Sequence, residues 1–183
     1  MVNCRELERK GAWIRLNTTV VILGNVCTLF AMGANAFSAT RKTARGVLGV
    51  QNISQGIYAF SAFVLGGYSA CAQNMVSILR NLAAMKNIKN KYLEWTLVAL
   101  GVILGVAFNN RGFVGLLPVI GNLQYTLAIF RVKDNERLLK LSFLISVASF
   151  VVFNVVILNF VGAVSDLFVI GTTALVLLKG KKA

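Results

Sequence analysis

The side chains of this 183-residue sequence that could bind or transform anything are few: one carboxylate and a handful of carboxamides set within long apolar runs. Asp166 is the clearest. It stands about 9 Å into the run that opens at Phe160, taking 1.5 Å per helical residue. An ionisable group inside an apolar span is costly, and so marks a functional position unless something ordinary holds it. Gln73 and Asn74 sit at a similar depth in an earlier run, Asn154 ends another, and Asn52 clusters with Gln51 and Gln55 one turn before Tyr58. Carboxamides both donate and accept hydrogen bonds, while a carboxylate accepts or exchanges a proton. Together they suit binding of a small uncharged or polar solute, sugar-like or amide-like, with Asp166, Asn74, Gln73, Asn154 and Asn52 as the substrate-binding candidates. The ordinary alternative for each amide is helix-to-helix glue, worth about 0.6 kcal/mol on average. For Asp166 it is a capped carboxyl near the outer interface.

Other chemistry is excluded by what is missing. There is no histidine, hence no imidazole base, nucleophile partner or metal ligand. Cys4, Cys27 and Cys71 form no CxxC and no even framework, and Cys27 and Cys71 read as small apolar packers. Neither a metal nor a cofactor is expected. Without HExxH or a clear acid pair in the spans, an enzyme is not expected either.

The elements that must position these groups follow from composition. Hydrophobic residues make up 57% and charged residues 14%, with mean hydropathy +0.73. A soluble chain of this size carries about 25% charged residues and could not bury so much apolar surface, so lipid is the expected solvent. The +13 net charge raises nucleic acid as a partner, but the basic residues fall in short clusters between apolar runs, which is a membrane-topology pattern. A spanning helix needs about 20 apolar residues, and seven are predicted: about Asn17–Ser38, Gly46–Leu65, Tyr68–Lys86, Tyr92–Phe108, Phe113–Arg131, Leu138–Ile157 and Phe160–Leu178. The fold class is thus all-α and polytopic. Gly46–Lys86 would be about 60 Å long as one helix and must turn back, at Gly66–Gly67. Leu138–Leu178 meets the same limit and turns near Asn159. Gly101 and Gly105 are spaced as a close-packing face. Trp13 and Trp95 read as interfacial anchors, and Arg80 and Arg131 as snorkelling cations at helix ends. One rival reading exists for the first run: four basic residues before it, and Ala34-Asn35-Ala36 within it, resemble a cleavable signal peptide.

Of the 19 Lys and Arg residues, 14 fall on one side of this seven-span arrangement and 5 on the other. The positive-inside rule then places the N-terminus outside and the C-terminus in the cytoplasm, with the basic tail 1–16 dissenting. That tail reads as a surface amphipathic helix. Two hairpins begin 92 residues apart, at Gly46 and Leu138, and each follows a helix containing Gly-Asn (Gly24-Asn25, Gly121-Asn122). The layout is a first half at 17–86, a linker helix at 92–108 and a second half at 113–178. An odd linker makes the halves parallel. Residue identity between them is poor, but Gln73-Asn74 falls opposite Ser165-Asp166. This 3+1+3 plan is similar in layout to the SWEET and PnuC transporters, although the helix-kinking prolines usual in SWEET halves are absent. The sole proline, Pro118, precedes Val119.

Two segments carry a closer likeness: Leu65-Gly66-Gly67-Tyr68-Ser69-Ala70 with Asn74, Ser77 and Arg80, and Leu117-Pro118-Val119-Ile120-Gly121 with Ala128-Ile129-Phe130-Arg131. With chain length and span layout, they resemble the YgjV family of bacterial inner-membrane proteins over about residues 17–178. The resemblance implies a multi-pass inner-membrane protein. Two functions compete: a small-solute carrier with a polar cavity between the halves, and a non-transporting scaffold or assembly protein whose polar groups only join helices. The bilayer is the expected partner, a homo-oligomer is open, and nucleic acid is not expected.

Overall fold

The computed structural model describes residues 17–38, 41, 43–86, 88, 90–131 and 135–179. The basic tail, with Cys4 and Trp13, lies outside them. Among the described residues the fold is all-α: α1 Thr18–Ser38, α2 Ala44–Val64, α3 Tyr68–Met85, α4 Lys91–Ala107, α5 Leu117–Arg131, α6 Glu136–Val156 and α7 Phe160–Lys179, with a single helical turn, Gly112–Gly115, before α5. The expected boundaries agree within two residues, except that the fifth helix is broken at Leu116, just before Pro118.

Short polar side chains set the helix starts by accepting from otherwise orphaned backbone N–H groups. Thr43 Oγ1 accepts from Gly46, Asn17 Oδ1 from Thr19, Asn90 Oδ1 from Tyr92, Asn135 Oδ1 from Leu138 and Asn159 Oδ1 from Gly162. The two hairpin turns are built alike. In the first, the Gly67 N–H donates to Ala62 O at 2.7 Å and Gly66 holds φ 70°; in the second, the Asn159 N–H donates to Asn154 O at 2.8 Å and Leu158 holds φ 61°. Glycine takes that left-handed conformation freely, whereas a leucine there costs about 1–2 kcal/mol. Leu158 is held in place by Asn25, whose amide donates to Leu158 O and accepts from the Val161 N–H, both at 2.9 Å. Both ends of α2, the turn and the start of α3 recur 92 residues later in α6–α7; only the last end differs, α7 running two residues further than α3 would predict.

Packing closes a ring. α1 packs on α2, α2 on α3, α3 on α5, α5 on α6, α6 on α7, and α7 returns to α1. α4 stands outside, against α3 and α5. Its expected close-packing face is there: a Cβ at Gly105 would come within 2.5 Å of Gln73 Nε2 and Val119 Cγ2, and Gly101 faces Gln73 and Val76. Helix pairs are joined by small polar groups, as Ser61 Oγ to Gly24 O and Ser54 Oγ to Ala31 O, both 2.7 Å, between α1 and α2, and Gln124 with Ser142 between α5 and α6. An apolar cluster of Ala62, Leu65, Ala70, Phe153 and Ile157 joins the two hairpins near their turns.

The polarity runs inside out. Thr28 and Ser61 are 0% exposed and Gln73 1%, while Phe30 is 68% and Phe168 74% exposed. Buried hydroxyls and amides with an apolar exterior are the reverse of a water-soluble globule. Among the described residues two helices meet a span's length and hydropathy together, Thr18–Ser38 and Arg137–Val156. The others fall short because they are shorter or devote one face to polar groups, as α3 does with Gln73, Asn74, Ser77, Arg80 and Asn81.

Candidate functional site

The ring surrounds a half-open cavity of about 190 Å³. All six ring helices line it and α4 does not. From α3 come Ala70, Asn74, Ser77 and Arg80, at spacings of four and three that keep them on one helical face. From α7 come Gly162, Ser165, Asp166 and Val169, and from α6 Ser146, Val147, Phe150 and Asn154. Gln55, Tyr58 and Ala62 of α2, Asn122 and Tyr125 of α5, and Asn35 of α1 complete the wall. The Ala34-Asn35-Ala36 stretch that resembles a cleavage site thus lies inside α1, with Asn35 on the cavity.

The two hairpins contribute matching positions. Gln55, Tyr58 and Ala62 fall 92 residues before Val147, Phe150 and Asn154; Ala70, Asn74 and Ser77 fall 92 before Gly162, Asp166 and Val169. All twelve line the cavity. Poor residue identity therefore coexists with register identity, because a wall needs the same helical face but not the same side chain.

The expected site residues divide. Asp166, Asn74 and Asn154 come together in the cavity. Asn154 Nδ2 donates to Asp166 Oδ2 at 2.8 Å, and Asn159 Nδ2 donates to Asn154 Oδ1 at 3.2 Å. The Asn74 side chain makes no hydrogen bond to the described residues. Gln73 is placed elsewhere: it points between α3, α4 and α5, donating to Gly101 O at 2.7 Å and accepting from Asn122 Nδ2 at 2.8 Å. Adjacent positions of a helix point about 100° apart, and here that turn carries Gln73 into the seam with α4 and α5 while Asn74 faces the cavity. Asn52 also lies off the cavity, its Nδ2 3.8 Å from Met85 Sδ and its Oδ1 buried without a partner among the described residues.

Arg80 departs most from expectation. Instead of snorkelling, its Nη1 donates to Asn122 Oδ1 and Thr126 Oγ1, each at 3.1 Å, and its guanidinium lies 5.4 Å from the Tyr125 ring centre. The spacing Ala70-Asn74-Ser77-Arg80 was the sequence signal for this placement. Arg131 does remain at an exposed helix end, 3.6 Å from Glu94 and beside Trp95. Neither Arg80 nor Asp166 is salt-bridged to the described residues.

Residues 22–183 match the family model Imp-YgjV, described as a bacterial inner membrane protein. No curated protein and no solved structure matches the chain.

Proposed function

Because the chain belongs to the Imp-YgjV family of bacterial inner membrane proteins, we propose a function carried out within the bilayer: a small-solute carrier whose binding cavity lies between two parallel three-helix halves. One half is α1–α3, the other α5–α7, and α4 is the linker that reverses the chain so that both halves run the same way. The observation that carries this reading is the cavity wall. Positions 92 residues apart line it on both sides, and the linker helix contributes nothing. The contacts between halves, α3 with α5 and α7 with α1, are the pair that a two-fold axis through the cavity would exchange. The Gly-Asn pairs agree. Asn25 of α1 reaches the start of α7 and Asn122 of α5 reaches α3, each the third helix of the other half.

In this reading all seven helices span the membrane, the hairpin turns face outward, and the basic helix ends lie in the cytoplasm. The solute is small, since about 190 Å³ is below the roughly 300–1,000 Å³ of sites for drug-sized ligands. Asp166 and Asn154 contact it from one half, Asn74 and Ser77 from the other.

The test is access. In a variant lacking the native cysteines, Ser146→Cys places a thiol on the cavity wall. A small membrane-impermeant thiol reagent, applied to intact spheroplasts and to inverted vesicles, is expected to reach it from at least one side. A folded, monodisperse variant that resists the reagent from both sides has a sealed interior, and the scaffold reading replaces the carrier.

A further inference from the structure

Arg80 is a cation in the wall of a closed ring of helices, without an anionic partner among the described residues. Both of its side-chain hydrogen bonds run through Nη1, to neutral acceptors. A guanidinium has five N–H donors in a rigid fork, so Nε and Nη2 keep theirs free of the described residues. Arg80 is half-buried, and a charge drawn in among helices and held only by neutral oxygens is costly in proportion to its burial unless an opposite charge joins it. The carboxylate of the cavity, Asp166, does not supply that charge. Arg80 stands about 18 Å along α3 from its hairpin turn and Asp166 about 9 Å along α7 from its own, a difference in depth of roughly 9 Å before any distance across the cavity. Nor does the matching half: the position 92 residues after Arg80 is Thr172, whose hydroxyl bonds back to Phe168 O and Val169 O and which is exposed on α7. The charges are thus where the two halves stop matching, which gives the cavity a cationic and an acidic end.

We infer that the solute carries a compact acid group, a carboxylate or its like, bound by the free edge of the Arg80 guanidinium beside Asn122 and Tyr125, with its uncharged hydroxyl or amide end toward Asp166 and Asn154. Two parallel N–H donors match two carboxylate oxygens at hydrogen-bond distance. Asn122 fixes the fork: it is buried and tied to Gln73 Oε1 at 2.8 Å, and Gln73 is anchored on α4. Gln73 is therefore a positioning residue for the acid subsite rather than a ligand. This inference rests on the carrier reading, and it narrows the uncharged or polar solute expected from the sequence to an acidic one.

The test uses the Ser146→Cys variant, whose thiol lies about 15 Å from the hairpin end of α6, near the level of Arg80. Its rates of modification by an anionic and a cationic methanethiosulfonate of similar size are compared, in vesicles of phosphatidylcholine and of phosphatidylglycerol. Any effect on the thiol itself cancels in the ratio. The anionic reagent is expected to be favoured in both lipids, with the ratio falling about tenfold or more in Arg80→Gln and surviving in Arg80→Lys. An anionic preference in phosphatidylcholine that vanishes in phosphatidylglycerol means a lipid headgroup occupies Arg80 and overturns the inference. So does modification without charge preference, or a preference that Arg80→Gln leaves intact. Should Arg80→Gln not fold, the sign of the preference in the parent and Arg80→Lys decides. Failure of both reagents to react removes the cavity reading itself, a different outcome from reaction without preference.

Discussion

At the residue scale, neighbouring polar side chains on one helix have opposite duties. Gln73 is 1% exposed and makes one bond to α4 and one to α5, while Asn74 faces the cavity. Gln73→Leu should therefore lower stability by about 1 kcal/mol, two interhelical bonds at the usual membrane value, without closing the cavity to reagent at Ser146→Cys. Asp166→Asn should leave yield and thermal stability nearly unchanged, because its carboxamide oxygen still accepts from Asn154 Nδ2. Asp166→Leu strands that donor and should cost about 1–3 kcal/mol. Thermal unfolding in detergent separates these. Equal loss in Asp166→Asn and Asp166→Leu would mean that the charge, not the hydrogen bond, holds the helices.

At the element scale, the turns and the linker are decided by small features. Gly66 and Leu158 occupy the same left-handed position in the two hairpins; run length placed both turns, the first at its glycines and the second near Asn159, but not the leucine in the left-handed position, which Asn25 fixes from 133 residues away. Apolar run length placed the starts of α2, α4 and α6 within two residues, and the caps Thr43, Asn90 and Asn135 fix them by local chemistry. The helix faces could not all be read. The carboxamides Gln51, Asn52, Gln55, Gln73 and Asn74 of α2 and α3 look alike in sequence, and only the neighbours chosen for them in three dimensions divide cavity from seam. The linker helix yields a sharp expectation. Gly105→Ala places a methyl against Gln73 and Val119 and should destabilise by about 1–3 kcal/mol. Gly33→Ala and Gly171→Ala meet nothing within 4 Å and should be neutral or stabilising by up to about 1 kcal/mol. Melting temperatures of the three variants check it, and a harmless Gly105→Ala would show that α4 is not clamped to the ring.

At the scale of the whole molecule, the basic residues set an orientation. Arg41, Arg45, Lys86, Lys91, Arg131, Arg137 and Lys140 all flank the helix ends opposite the hairpin turns, and Arg111 lies by the turns, where it reaches Leu65 O and Gly66 O. A fluorescent reporter fused to the C-terminus should mature in the cytoplasm, and an alkaline phosphatase fused there should be inactive. Active phosphatase would invert the topology and turn the hairpin plug of Leu65, Phe153 and Ile157 toward the cytoplasm.

Much was determined by the sequence alone. Helix number, length and order follow from apolar run lengths and from caps and turns, which act within a few residues. The 92-residue spacing of the hairpins is likewise a fact of chain length. What only the tertiary structure decided is the partner of each polar group. It closed α7 onto α1, left α4 outside, turned Gln73 away from the cavity and swung Arg80 into it. A side chain's place on its own helix is periodic and readable; what stands opposite that face depends on which distant helix packs there, and the chain's local chemistry does not encode that choice one residue at a time.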